Sequence, residues 1–296
     1  MALDYLVVDV FADTPLKGNP LAVVFDTAGL STKKMQAIAR EFNLSETTFV
    51  QRRPQAVERE EGVRVRIFTT QEELNFAGHP TLGTATVLKT QAPETVVNDT
   101  VTLALNVGAI PVRFSGEGLY GEMTQRDPEF GAQLDRAEVA KLLGLQMDDL
   151  HPELVPQVSS TGTAFAIVGL RSVEVLGRLH VNQAAATPWL RSHGARWFYV
   201  MAPTGSTGTG EPGWRARMQF YGGEDPATGS AAGCAISYLV ARGAVRSQEK
   251  IHVRQGVEMG RPSEIFLSAK LESSKVTDVL VGGSTVSVAM GQIFQP

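Results

Sequence analysis

The sequence predicts an α+β protein made of two similar halves, each a β-barrel around a central helix. Two loops lead there first. His79-Pro80-Thr81-Leu82-Gly83-Thr84-Ala85 and Asp225-Pro226-Ala227-Thr228-Gly229-Ser230-Ala231 share one pattern, and lie 146 residues apart (79 to 225) in a chain of 296. Weaker matches keep the same order and nearly the same offset. Gly18-Asn19-Pro20-Leu21-Ala22-Val23-Val24 resembles Gly162-Thr163-Ala164-Phe165-Ala166-Ile167-Val168, Thr48-Phe49-Val50 resembles Phe198-Tyr199-Val200, and Gly108 matches Gly256, each in a turn. An internal duplication with halves of about 145 residues accounts for the series. The third observation is many short, β-branched segments per half, divided by Gly, Pro, Asn and Ser. Closing them into barrels removes exposed strand edges.

In chain order the first half offers strands at 5–10, 21–25, 47–50, 63–68, 100–105, 110–114 and 119–123. The second offers 165–168, 197–201, 214–220, 251–254, 265–269, 276–281 and 285–290. A helix over 31–43 places Met35, Ile38, Ala39 and Phe42 on one face, with Ser31 as N-cap. A second, over 135–143, opens on the capping-box-like pair Asp135 and Glu138 and stops at Gly144. The helices following the matched loops, 80–89 and 229–242, are apolar nearly all round, so each is expected to be buried inside a barrel. The first half is expected to span 1–125 plus a C-terminal segment from about 280 to 296, and the second 126–279. The stretch 203–213 reads as a flexible loop. The GxGxxG within it is spurious, because Pro212 interrupts it and no helix follows.

Composition narrows the function classes. Hydrophobic residues make up 43% and charged residues 20%, as in globular proteins with a sizeable core. A net charge of −4 gives no reason to expect nucleic acid or an anionic membrane as partner. Apolar runs are too short to span a bilayer, and the acidic N-terminal stretch lacks a signal peptide's basic region, so a cytoplasmic location is expected. The single cysteine, Cys234, cannot form an internal disulfide or a cysteine cluster. The five histidines show no metal-ligand spacing and no phosphate-binding GxxxxGK[ST] occurs, so no metal or cofactor is expected.

Four segments bear on chemistry. Gly78-His79-Pro80 opens a helix, where free N–H groups and the positive dipole end attract a carboxylate or phosphate. In the second loop, Asp225 reads either as a helix N-cap or as a catalytic group, and Thr228, Gly229 and Ser230 offer donors. That loop is not a GxSxG elbow, so Ser230 is not read as a hydrolase nucleophile. By pattern alone Glu46, in Asn43-Leu44-Ser45-Glu46-Thr47, is an ordinary surface glutamate, and Gly18-Asn19-Pro20 a hairpin turn.

These segments together resemble the signatures of the PhzF (phenazine biosynthesis-like) family, and Arg254-Gln255-Gly256-Val257-Glu258-Met259-Gly260-Arg261-Pro262-Ser263 looks like its late motif. The resemblance covers essentially the whole chain. It implies a diaminopimelate epimerase-like fold, with the site between two halves, and a homodimer. It also implies a cofactor-independent isomerase in which a glutamate moves a proton and a histidine and an aspartate assist: Glu46, His79 and Asp225. Asn19, Ser45, Gly78, Thr228, Gly229 and Ser230 are the implied substrate-binding residues, and the substrate a small carboxylate. Epimerases of this fold use two cysteines in the equivalent loops; neither loop here has one, and Cys234 reads as core. Two other readings stay open: a racemase using Glu46 and Asp225 as opposed bases, and a catalytically silent ligand-binding protein.

Overall fold

The structure, a computed structural model, describes residues 2–115, 118–206, 212–220 and 223–294. The chain divides into two compact units, Met1–Thr124 with Gly282–Pro296, and Gln125–Val281. The first carries β1 (Ala2–Val10), β2 (Asn19–Val24), α1 (Thr32–Phe42), β3 (Glu46–Gln51), α2 (Gln55–Glu61), β4 (Val63–Phe68), β5 (Glu73–Leu74), α3 (Gly78–Gln91), β6 (Thr100–Leu105), β7 (Gly108–Phe114) and β8 (Tyr120–Thr124). The second carries β9 (Glu129–Gln133), α4 (Arg136–Leu142), β10 (Gln157–Ser160), β11 (Ala164–Gly169), α5 (Val173–Gly177), α6 (Gln183–Ser192), β12 (Trp197–Ser206), β13 (Pro212–Arg217), β14 (Gln219–Phe220), β15 (Gly223–Glu224), α7 (Gly229–Ala241), β16 (Ile251–Gln255) and β17 (Ser263–Glu272). β18 (Lys275–Phe294) begins in the second unit and ends in the first.

In the first unit β1, β2, β3, β4, β6, β7, β8 and β18 follow one another in the sheet, and β18 pairs back onto β1, closing an eight-stranded barrel. α3 packs against β1, β2, β3, β6, β7 and β8 and is buried from Gly78 to Leu88. Glycine lets it sit that close: a Cβ on Gly83 would meet Val10 Cγ2 at 2.6 Å and Leu21 Cδ2 at 2.8 Å. α1 lies outside, laying Met35, Ile38 and Ala39 on Leu3, Val24, Phe49 and Phe68. Its N-cap is Ser31, which accepts from the Lys34 N–H at 3.3 Å.

In the second unit the strand path runs β9, β10, β11, β12, β13, β16, β17, β18. The Gln125 N–H donates to the Val279 carbonyl at 2.8 Å, tying the chain that leads into β9 to β18. α7 packs on β10, β11, β12 and β17 and is buried along most of its length. α4, α5 and α6 cover a second apolar cluster that includes Val139, Leu143, Leu176, Leu190, Phe198 and Val200. The same succession of pairings recurs in the two units. β2–β3 and β11–β12 are parallel, β3–β4 and β12–β13 antiparallel, β4–β6 and β13–β16 parallel, β6–β7 and β16–β17 antiparallel.

Several elements depart from the sequence reading. The segments 276–281 and 285–290, expected as two strands, form one strand across Gly282-Gly283-Ser284. Gly282 is there for space: a Cβ would meet Glu122 Cγ at 2.6 Å and the Tyr120 hydroxyl at 2.7 Å. β9, β10, α2, α5 and α6 form where the sequence reading places no element. The expected 203–213 loop is partly strand, since β12 continues to Ser206 and β13 starts at Pro212; residues 207–211 lie outside the described residues. The Asp135 cap is one-way. Asp135 accepts from the Glu138 N–H at 2.9 Å, while the Glu138 carboxylate accepts from Trp189 Nε1 at 3.1 Å. No helix among the described residues is long and apolar enough to cross a membrane.

Candidate active site

In the first unit the starts of β2, β3 and α3 converge. β2 and β3 run parallel with Leu21 opposite Glu46, so Asn19 and Glu46 stand at the same end of the two strands. Gly18, at φ +69°, permits the entry into β2, because a Cβ there would meet the Val10 carbonyl oxygen at 2.4 Å. A hydrogen bond of 2.8 Å between the Thr48 and Thr84 hydroxyls fastens β3 to α3 just past Glu46. His79 Nε2 then lies 3.4 Å from Glu46 Oε2, and His79 Nδ1 lies 3.2 Å from Asn19 Nδ2. The Asn19 amide and the Pro20 backbone both engage the ring, while Nε2 faces Glu46 with no hydrogen-bond partner among the described residues. Burial pushes the His79 pKa down to about 3, against a smaller opposing pull from the Pro20 backbone, so the imidazole is neutral at physiological pH. Glu46, with 17% of its side chain exposed beside a histidine at 6%, is no ordinary surface glutamate. Ser45 precedes it, half-buried, and Gly78 is buried at the first position of α3.

In the second unit Asp225 follows β15 and precedes α7. It is not the helix N-cap: that position is Thr228, and the Asp225 carboxylate instead accepts from the Thr228 hydroxyl at 2.6 Å. Gln255, at the end of β16, donates from Nε2 to the Asp225 carbonyl at 2.8 Å and to Thr228 Oγ1 at 2.9 Å. Its Oε1 accepts from the Thr228 N–H at 3.2 Å and from the Tyr199 hydroxyl at 3.1 Å. Gly229 is buried and Ser230 half-buried in the first turn of α7. Neither α3 nor α7 has a side-chain hydrogen bond at its N-cap, so both helix starts keep backbone donors suited to an anion.

Cys234 belongs to the core of α7. It is fully buried, donates to the Thr163 carbonyl at 3.6 Å, and burial pushes its thiol up to about 11. A thiol that resists ionisation is a poor proton carrier at neutral pH. Two carboxylates near these loops are held in ion pairs. Glu73 takes the Arg66 guanidinium at 2.8 and 2.5 Å, and Glu224 takes that of Arg217 at 2.9 and 2.7 Å; Tyr221 and Gly222 lie outside the described residues. A cavity of about 550 Å³ in the second unit is lined by Thr163, Arg191, Arg196 and Trp197 among others, but by none of Asp225, Thr228, Gly229 and Ser230. Sequence reasoning passed over Gln255 and Tyr199 as site residues. Gln255 stood inside the late motif, but Tyr199 looked like strand filler.

Residues 8–291 match the sequence profile of the family described as phenazine biosynthesis-like protein. A trans-2,3-dihydro-3-hydroxyanthranilate isomerase of Pseudomonas chlororaphis is 37% identical over 295 residues, covering 98% of each chain. The solved structure of a predicted epimerase from Pseudomonas aeruginosa is 32% identical with a TM-score of 0.81, over 99% of this chain and 100% of that one. A PhzF-family phenazine biosynthesis protein of Bacillus anthracis shares the fold, with a TM-score of 0.85 at 24% identity over the whole of both chains. With its profile matched from end to end and its relatives alike over their full length, the chain belongs to the phenazine biosynthesis-like (PhzF) family and is an isomerase.

Proposed function

We propose that this isomerase moves a proton between two carbons of a small cyclic carboxylate of the trans-2,3-dihydro-3-hydroxyanthranilate type, with Glu46 as the proton carrier. The observation that carries the reading is the approach of Glu46 Oε2 to within 3.4 Å of the buried, neutral His79 ring at the start of α3. The name of the relative at 37% identity supports the substrate class. Glu46 takes a proton from one ring carbon as the C–H bond breaks. The electron pair shifts the double bond, and the same carboxyl delivers the proton to a second carbon. Nothing is consumed and no redox partner is needed. His79 and Asp225 hydrogen-bond the substrate and stabilise the charge that develops. The substrate carboxylate takes the backbone donors at Gly78, Gly229 and Ser230, with Asn19 and Ser45 as further contacts and Thr228 beside them holding the Asp225 carboxylate. The proposal includes a cytoplasmic homodimer working without a cofactor or metal.

The test is turnover of trans-2,3-dihydro-3-hydroxyanthranilate in D2O, followed by NMR. Deuterium at a new carbon together with a moved double bond supports the isomerase. Deuterium entering with inversion at one stereocentre supports the racemase, and ligand-induced thermal shifts without exchange support a silent binding protein. Glu46→Gln should lower kcat by about 10²–10⁴-fold, the usual contribution of a positioned acid–base group, while substrate still binds. A wild-type rate in Glu46→Gln removes Glu46 from the mechanism.

A further inference from the structure

We infer that Gln255 is a positioning residue that holds the Asp225 carboxylate in its working orientation through the Thr228 hydroxyl; the inference rests on Asp225 serving the reaction. Gln255 is fully buried, and all the hydrogen-bonding capacity of its amide is used at one place. The Tyr199 hydroxyl and the Thr228 N–H both donate to Oε1, which fixes which end of the amide is oxygen. Burial raises the Tyr199 pKa far above neutrality, so the phenol stays a donor. Nε2 must then donate, and it does so to the Asp225 carbonyl and to Thr228 Oγ1. With a lone pair of Thr228 Oγ1 so occupied, its single proton is free to turn to the Asp225 carboxylate at 2.6 Å, a shorter contact than the 3.2 Å to Met218 Sδ. Through the side chains the donors run one way, from Tyr199 to Gln255 to Thr228 to Asp225, while the Thr228 backbone N–H donates back to Gln255.

The surrounding backbone suits the same task. The Asp225 N–H donates to the Met218 carbonyl at 2.9 Å, and Glu224 is clamped by Arg217. Gly256, at φ +75°, follows Gln255 directly; a Cβ there would meet the Pro226 carbonyl oxygen at 2.7 Å and that of Arg261 at 2.4 Å. The loop that carries Asp225 is therefore pressed against the end of β16. The Thr228 hydroxyl proton reaches the Asp225 carboxylate, and Gln255 and Tyr199 act on it through Thr228.

A positioning role and a purely structural one differ in how they combine with loss of Asp225. Thr228→Val, Gln255→Leu and Tyr199→Phe are compared alone and in an Asp225→Asn background, with trans-2,3-dihydro-3-hydroxyanthranilate as substrate. Alone, Thr228→Val and Gln255→Leu should lower kcat by about 10- to 100-fold with KM changed less than about threefold, the scale of an ångström-sized misplacement. Thr228→Ser, which keeps the hydroxyl, should restore most of the rate. In Asp225→Asn the same substitutions should cost nothing further. Losses that multiply on an already impaired Asp225→Asn enzyme overturn the role of Gln255, whereas a wild-type rate in Asp225→Asn overturns the role of Asp225 itself. Crystal structures decide independently of substrate: an Asp225 carboxylate unmoved in Thr228→Val and Gln255→Leu overturns the inference, and a displaced one supports it. If Gln255→Leu does not fold, Thr228→Val and Tyr199→Phe carry the comparison.

Discussion

His79 is a histidine whose ring the fold keeps neutral. Its pKa of about 3 in the folded protein lies below the ordinary value of 6.5, because burial penalises the imidazolium. Between those values the unfolded chain holds a proton on this side chain that the folded one lacks. Stability from this residue is therefore complete above pH 6.5 and declines as pH falls through the window toward 3. At pH 5 the loss is about 2 kcal/mol relative to neutrality, at 1.36 kcal/mol per pH unit. Urea unfolding at pH 7.5 and pH 5.0 should thus show the wild type losing about 2 kcal/mol more than His79→Gln, which does not titrate. Parallel losses in the two proteins would mean that the ring is solvated or already charged. For the chemistry, a neutral ring beside Glu46 polarises by hydrogen bonding without adding charge. Activity should then lack an inflection near pH 6.5 attributable to this histidine.

At the scale of elements, the central helices are set by what their glycines leave room for. A Cβ on Gly233 in α7 would come within 1.9 Å of Gln125 Oε1. That amide is held from both ends, by the Thr161 hydroxyl at 2.6 Å and the Gly229 carbonyl at 2.9 Å. Gly233→Ala gains about 1 kcal/mol of helix propensity but breaks two buried hydrogen bonds and strands their partners, at about 1–3 kcal/mol each. The second effect wins. Calorimetry should show net destabilisation of about 1–5 kcal/mol, and a variant more stable than wild type would mean that Gln125 relocates freely. The same geometry explains what could be read from the sequence. The 229–242 helix was legible because residues such as Ala231, Ile236 and Leu239 are apolar all round, and β4 and β6 because their alternation is clean. β9 was not, since each of its five residues is exposed and nothing alternates. Glu46 could not be told from a surface glutamate by pattern, because its burial comes from β2 and α3, not from its neighbours in sequence. Asp225 looked like a cap because α7 starts only four residues on; in the structure Thr228 takes the cap position and its hydroxyl donates to the Asp225 carboxylate.

At the scale of the whole molecule, the chain returns at its end to the unit in which it began. Residues 285–294 of β18 pair with β1 from Ala2 to Val10, and without them the first barrel would have an open edge at β1 and another at β8. Ala2, Leu3 and Asp4 pair with Phe294, Ile293 and Gln292, so the outermost turns of both termini depend on one another. Loss of a whole strand from a closed barrel removes a ladder of backbone bonds on two sides and opens the wall that surrounds α3. The second unit keeps its own strand path from β9 to β17 and its own apolar cluster under α4, α5 and α6. Trp189, Trp197 and Trp214, the three tryptophans of the chain, all lie in that unit, so tryptophan fluorescence reports on it alone. A chain truncated after Val281 should therefore lose protease protection across residues 2–115 while its tryptophan emission stays close to that of the full-length protein. Limited proteolysis with mass spectrometry, read beside the emission maximum, checks both halves of the statement. Protection retained in the first unit would mean that β1 and β8 close the barrel without β18. An emission maximum shifted fully to that of the unfolded chain would mean that the two units fold only as one.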